Sequence, residues 1–164
     1  MSFQTPKRLL KKVNKQISTT FDVETFDLKP RVFNSSNTQD LLAKFSEDNF
    51  YSITSSNNNL LGYAYIGKAP SKTDEFDYLI LFDANLIIKK SKILVYREDY
   101  GGEIGSKRWL KQFIGKSQND KMAYGNDIVA ISGATISAQS MTQAVNNVLN
   151  SLAELQKQGV FDEN

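Results

Sequence analysis

Leu9, Leu10, Val13 and Ile17 recur at three and four residues among lysines and polar side chains, which predicts an amphipathic helix over 6–18. Pro6 suits its first turn. Residues 21–33 alternate loosely and contain Pro30, so they are expected to run extended. A short helix is expected over 37–45, with Leu41, Leu42 and Phe45 on one side. Segments 49–55 and 60–68 read as strands joined by the turn Ser56-Asn57-Asn58-Asn59. The clearest strand pair is 76–82 with 86–97, rich in β-branched and aromatic residues and joined through Asp83-Ala84-Asn85. A short helix follows over 105–114, in which four-residue spacing sets Trp109 against Phe113 and Leu110 against Ile114. Residues 117–126 are polar and loop-like. A brief apolar strand, 128–131, is broken by Ser132-Gly133-Ala134-Thr135. A long helix then runs to about 158, with Met141, Ala144, Val145, Val148, Leu149, Leu152 and Leu155 on one stripe. Gly159 is its stop. The expected class is α+β, a central antiparallel sheet with helices packed on it, in one domain over 1–164.

Composition narrows the chemistry. The 164 residues are 40% hydrophobic and 23% charged, the balance of a globular chain that buries a core. There is no cysteine and no histidine. Disulfides, iron–sulfur ligation, Cys/His zinc sites and His-based acid–base catalysis are therefore excluded. Carboxylates, lysines, hydroxyl groups and bound cofactors remain. With 20 basic against 18 acidic residues, the net charge of +2 does not point to nucleic acid. Lys7, Arg8, Lys11, Lys12 and Lys15 form a local cluster, read as the solvated face of a helix, and the basic residues are not expected to form one long patch. No stretch reaches the roughly 20 apolar residues of a membrane span. Met1-Ser2-Phe3-Gln4 runs into a charged helix, so no secretory signal is expected.

The break at Ser132-Gly133-Ala134-Thr135 carries the chemistry. Small residues let a ligand approach the backbone closely. Free amides in the first turn of the following helix, and its dipole, favour an anion, usually phosphate. Ser132, Thr135 and Ser137 add hydroxyl groups. The same residues also suit a plain N-cap, and the lysine of a full P-loop is missing.

Ala130-Ile131-Ser132-Gly133-Ala134-Thr135-Ile136-Ser137 resembles the hallmark of the FMN-binding domain family. That family includes the flavin-carrying subunits of the sodium-translocating NADH:quinone reductase and the Rnf complex. The resemblance extends over about 62–152. It includes Tyr96-Arg97-Glu98-Asp99-Tyr100-Gly101-Gly102-Glu103-Ile104-Gly105 and the short helix carrying Trp109, but not the N-terminal helix. Asp99 and Tyr100 stand where many members have Thr and Pro. Val129 stands where the family commonly has Asp, three residues before Ser132; the nearest Asp here is Asp127.

The resemblance implies FMN as cofactor, joined by a flavin transferase through a phosphoester to Thr135. The phosphate would meet Ser132, Gly133, Ala134, Thr135, Ile136 and Ser137. Tyr100, Trp109, Met141 and the surroundings of Ile131 are candidate ring contacts, Gly101 and Gly102 candidate backbone donors. Glu98 or Glu103 is a candidate partner of the ribityl hydroxyls, and Lys107, Arg108 or Lys116 of the negative charge. Several of these have plainer readings. Trp109, Phe113 and Met141 suit a core, Glu98 and Arg97 an edge strand, Gly101-Gly102 a turn, and Asp74, Glu75 and Asp77 near Lys72 a solvated loop.

The implied role is electron transfer between redox proteins or within a membrane electron-transport complex, outside the cytoplasm and without nucleic acid. The chain would be a carrier rather than a stand-alone catalyst. A flavin reductase using NAD(P)H is one alternative, although no dinucleotide fingerprint is present. A flavin-free binding module is the other.

Overall fold

The computed structural model describes residues 5–162. The expectation for Met1-Ser2-Phe3-Gln4 lies outside them. Five strands, β1 (Asp27–Pro30), β2 (Phe50–Thr54), β3 (Leu60–Pro70), β4 (Glu75–Asp83) and β5 (Ile88–Val95), form one sheet in chain order, each antiparallel to the next. The helices are α1 (Lys7–Phe21), α2 (Ser35–Thr38), α3 (Lys107–Leu110) and α4 (Thr135–Lys157), with 3₁₀ turns at Gly102–Gly105 and Lys111–Phe113. The α+β class holds, with the long helix beginning at Thr135.

The sheet is covered on both faces. Val13 and Ile17 of α1 lie against Ile53, Ala64, Ile66, Leu79, Leu81 and Leu94. On the other face Phe50, Tyr63, Tyr65, Phe76, Tyr78, Ile80 and Phe82 meet Met141, Val145, Val148, Leu149, Leu152 and Leu155 of α4. This explains the unbroken apolar run of β4: its alternate residues enter two different cores. Gly159, at φ 79°, ends α4 with Val160 N–H donating to Leu155 O at 3.3 Å, the αL stop expected of it.

Three local expectations fail. The helix expected over 37–45 is instead the single turn α2, where Asn34 and Asn37 cap each other. Residues 41–48 cross the surface with backbone groups bonded to side chains. Ala43 N–H donates to Ser151 Oγ (2.9 Å), and Lys44 O accepts from Tyr65 OH (2.8 Å) and Asn49 Nδ2 (2.7 Å). Phe45 is buried, but Leu42 is 64% exposed. Residues 128–131 form no strand; Ile128 makes one isolated bridge to Tyr124 and Val129 is 66% exposed. In the 105–114 segment the helix tightens to 3₁₀ after Leu110, so Trp109 still meets Phe113 edge-on at 5.4 Å while Ile114 turns out to solvent.

Candidate functional site

The start of α4 is built without a cap. Gly133 takes φ 88°, which glycine adopts without strain, and brings the chain round to Ala134 as N-cap. Alanine offers no acceptor, and no side chain caps the helix. The first helical bond runs from Ala138 N–H to Ala134 O (2.9 Å). The amides of Thr135, Ile136 and Ser137 are thus left to an outside acceptor at the positive end of a 23-residue helix. The plain-cap reading of the sequence is not what forms here. Ser132, Gly133, Thr135 and Ile136 are exposed, Ala134 and Ser137 buried. Thr135 Oγ1 donates to Ile131 O at 3.1 Å, and this is a surface bond.

Long-range bonds hold the approach to this turn. Trp109 Nε1 donates to Val129 O (2.6 Å), Gln112 Oε1 accepts from Val129 N–H (2.9 Å), and Tyr124 OH accepts from Ile131 N–H (2.9 Å). They supply the partners that a neighbouring strand would have given. Trp109 and Met141 are both buried in the core. Trp109 has a polar handle as well, and Gln112 and Tyr124 were not singled out from the sequence.

The loop after β5 comes against the turn. Gly101 has φ 83°, and an ideal Cβ there would lie 3.3 Å from Gly133 O, 3.5 Å from Ala134 Cβ and 2.7 Å from Tyr96 OH. Tyr96 OH is 2.9 Å from Ser137 Oγ, so the Ser137 hydroxyl is engaged inside the protein rather than presented with that of Thr135. Gly102 faces open space, and Glu103 is the carboxylate nearest Gly133, 4.0 Å from an ideal Cβ. Tyr100, next to Gly101, is 85% exposed, and Val129 and Ile136, which flank the turn in sequence, are exposed as well. Gly101→Ala is expected to cost about 1–2 kcal/mol from left-handed strain alone, with further loss as the methyl displaces Tyr96. Thermal unfolding checks it.

Glu98 stands apart from this group. Its carboxylate accepts from Ser71 Oγ (2.6 Å), Thr73 N–H (2.7 Å), Thr73 Oγ1 (2.7 Å) and Asp74 N–H (3.1 Å), tying down the β3–β4 turn. The Ser71 bond first, then those from Thr73, hold its pKa down at about 2. A depressed carboxylate stabilises above its unfolded value and stops doing so as pH falls through the folded one. Acid unfolding is therefore expected to draw on Glu98 between about pH 4.5 and pH 2. Glu98→Gln should flatten the pH dependence of the melting temperature in that window.

Asp77, read as part of a solvated acidic run, is instead buried in a two-pronged pair with Arg97 (Nη1–Oδ1 and Nη2–Oδ2 both 3.2 Å). No group of acidic side chains among the described residues forms a metal site.

The arrangement suits the phosphate end of a cofactor: a left-handed glycine, three free amides, an exposed hydroxyl and open space at Gly102. A cleft of about 660 Å³ beside α1 and β3, lined in part by Tyr65, Tyr78 and Asn147, contains none of these residues.

Residues 72–150 match the family model of the FMN-binding domain, which binds FMN. The fold is shared with the crystal structure of Shewanella oneidensis NqrC, at a TM-score of 0.63 and 13% identity over 92% of this chain and 98% of that one. No curated protein matches the sequence.

Proposed function

From residues 72–150 as a segment of the FMN-binding domain family, we propose that this chain is an electron carrier that holds FMN at the turn before α4, esterified through Thr135. The observation that carries the reading is the uncapped helix start. The amides of Thr135, Ile136 and Ser137 would hold the phosphate, and the helix dipole would favour its charge. Thr135 offers the one exposed hydroxyl in the first turn, and Ser132 a second just before it. Gly101 lets the loop pack closely on the turn and Gly102 leaves the cofactor room, and exposed Tyr100, Val129 and Ile136 offer apolar surface for its ring. Trp109, through Val129 O, acts as a positioning residue. The flavin ring supplies the redox chemistry when bound; the protein supplies position and charge.

On this reading the partners are a flavin transferase and a redox donor and acceptor, in the setting of a membrane electron-transport complex on the extracytoplasmic side. The transferase would take FMN from a flavin dinucleotide by breaking its pyrophosphate bond, with the nucleoside monophosphate leaving as Thr135 Oγ1 loses its proton and bonds to phosphorus. No helix among the described residues is long and apolar enough to cross a membrane. The test is expression with and without a flavin transferase, followed by denaturation, in-gel flavin fluorescence and intact mass. The expected product is yellow, and after denaturation it stays heavier by one FMN less one water. A chain that remains colourless in both cases and takes up no added FMN would overturn the proposal.

A further inference from the structure

A cavity of about 470 Å³ opens beside Gln156, at the end of α4 away from the Thr135 turn. The two lie about 30 Å apart along the helix. Alternation along β2 turns Phe50, Ser52 and Thr54 to the α4 side of the sheet, and Tyr51 and Ile53 to the α1 side. Ser52 and Thr54 therefore form the floor of the cavity, with Tyr63 of β3. Lys29 stands opposite Ser52 in the β1–β2 register, on the same face. Asn58 comes from the β2–β3 turn, Asn85 and Leu86 from the β4–β5 turn, and Phe161 closes the side beyond α4.

The floor is polar where the rest of this face is apolar. Ser52 and Thr54 are each 8% exposed, and Thr54 Oγ1 has no hydrogen-bond partner among the described residues. A buried hydroxyl without a partner costs stability that valine, of the same shape, would not. Among the described residues no acidic side chain lines the cavity. Asp27, opposite Thr54 in the register, lines a different groove beside α1.

The walls are held in place. Lys29 Nζ donates to Asn58 Oδ1 at 2.9 Å, which anchors the ammonium at the rim. An Arg31 Nη2 bond to Val160 O (2.7 Å) sets the guanidinium 5.3 Å over the Phe161 ring and fixes that ring as a wall. Leu86 is buried with φ 64°, a left-handed backbone that leucine adopts only under strain, so the β4–β5 turn is held in an uncommon shape where it meets the cavity.

We propose that this cavity binds a sugar monophosphate. The phosphate would lie between Lys29 and the hydroxyls of Ser52 and Thr54, three donor groups for its three terminal oxygens. A carboxylate has only two. The side-chain amides of Asn85 and Gln156 both donate and accept, as sugar hydroxyls require. Phe161 and Leu86 offer an apolar wall to the carbon skeleton. Inorganic phosphate would leave most of the cavity unused, and a purely apolar ligand would leave its hydroxyls and amides unpaired. The site needs no flavin, and the turn at Thr135 takes no part in it.

Titration of ribose 5-phosphate into the isotope-labelled full chain, followed through the amide chemical shifts, tests this. Saturable shifts are expected at residues 29–31, 52–54, 85–86 and 156, and ribose at the same concentrations should give none. Inorganic phosphate should bind at least about fivefold more weakly. Thr54→Val should lower the affinity about tenfold and melt no lower than the parent, because it removes a hydroxyl that the fold does not use. Lys29→Gln, at an exposed position, should also lose about tenfold. Lys68→Gln makes the same change in net charge and should bind like the parent. The proposal is overturned by absence of saturable shifts at these residues, by shifts confined to 133–137, or by equal binding of ribose or of inorganic phosphate. Parental affinity in both Thr54→Val and Lys29→Gln would overturn it as well.

Discussion

A chain carrying Thr135→Val is expected to fold like the parent and to retain no flavin after denaturation. Among the described residues the hydroxyl's hydrogen bond is the exposed one to Ile131 O at 3.1 Å. Losing it should cost about 0.5–1 kcal/mol, and valine keeps the β-branched shape at the first helical position. The effect on attachment is all or none, because a phosphoester needs the oxygen. Thr135→Ser should keep attachment, since the hydroxyl stays at the positive end of α4. In-gel fluorescence and intact mass read the attachment, and thermal unfolding reads the fold. Flavin that survives denaturation in the valine variant would place the anchor elsewhere, with Ser132 the next hydroxyl to examine.

The same assay bears on Val129, where the resemblance to the FMN-binding domain family implies Asp. Its side chain is 66% exposed while its backbone N–H and C=O are tied to Gln112 and Trp109. A change there alters the surface that a transferase would meet without loosening the turn. Val129→Asp is expected to raise the flavinylated fraction at unchanged stability.

What the sequence made legible follows from range. Strands β2 to β5 were readable because runs such as Phe76 to Phe82 carry their strand preference locally, and α4 because seven apolar residues keep one stripe. The Ser132–Thr135 turn was readable because small residues before a long amphipathic stripe leave few other structures. Segments 37–45 and 128–131 were misread because backbone groups in them find partners in side chains far away in sequence: Ser151 for Ala43, Trp109 and Gln112 for Val129. No local periodicity encodes such bonds.

Trp109 is where fold and site meet, and its removal is expected to cost most in stability. The ring is 6% exposed, edge-on to Phe113, and its Nε1–H meets Val129 O at 2.6 Å. Trp109→Ala removes a core side chain, a change that costs about 3–5 kcal/mol. For a chain of this size that lowers the melting temperature by about 10 °C or more. Trp109→Phe separates the two roles, because it keeps most of the packing and loses the donor. Val129 lies at the surface, where water takes over part of the lost bond, so the stability cost should stay near 1 kcal/mol. The 129–131 approach, however, would keep Gln112 and Tyr124 as its long-range ties among the described residues. Flavin loading at equal folded fraction should therefore fall in Trp109→Phe by more than its stability predicts. If this variant loads flavin like the parent and only its melting point drops, Trp109 is a packing residue, and Gln112 and Tyr124 alone position the turn.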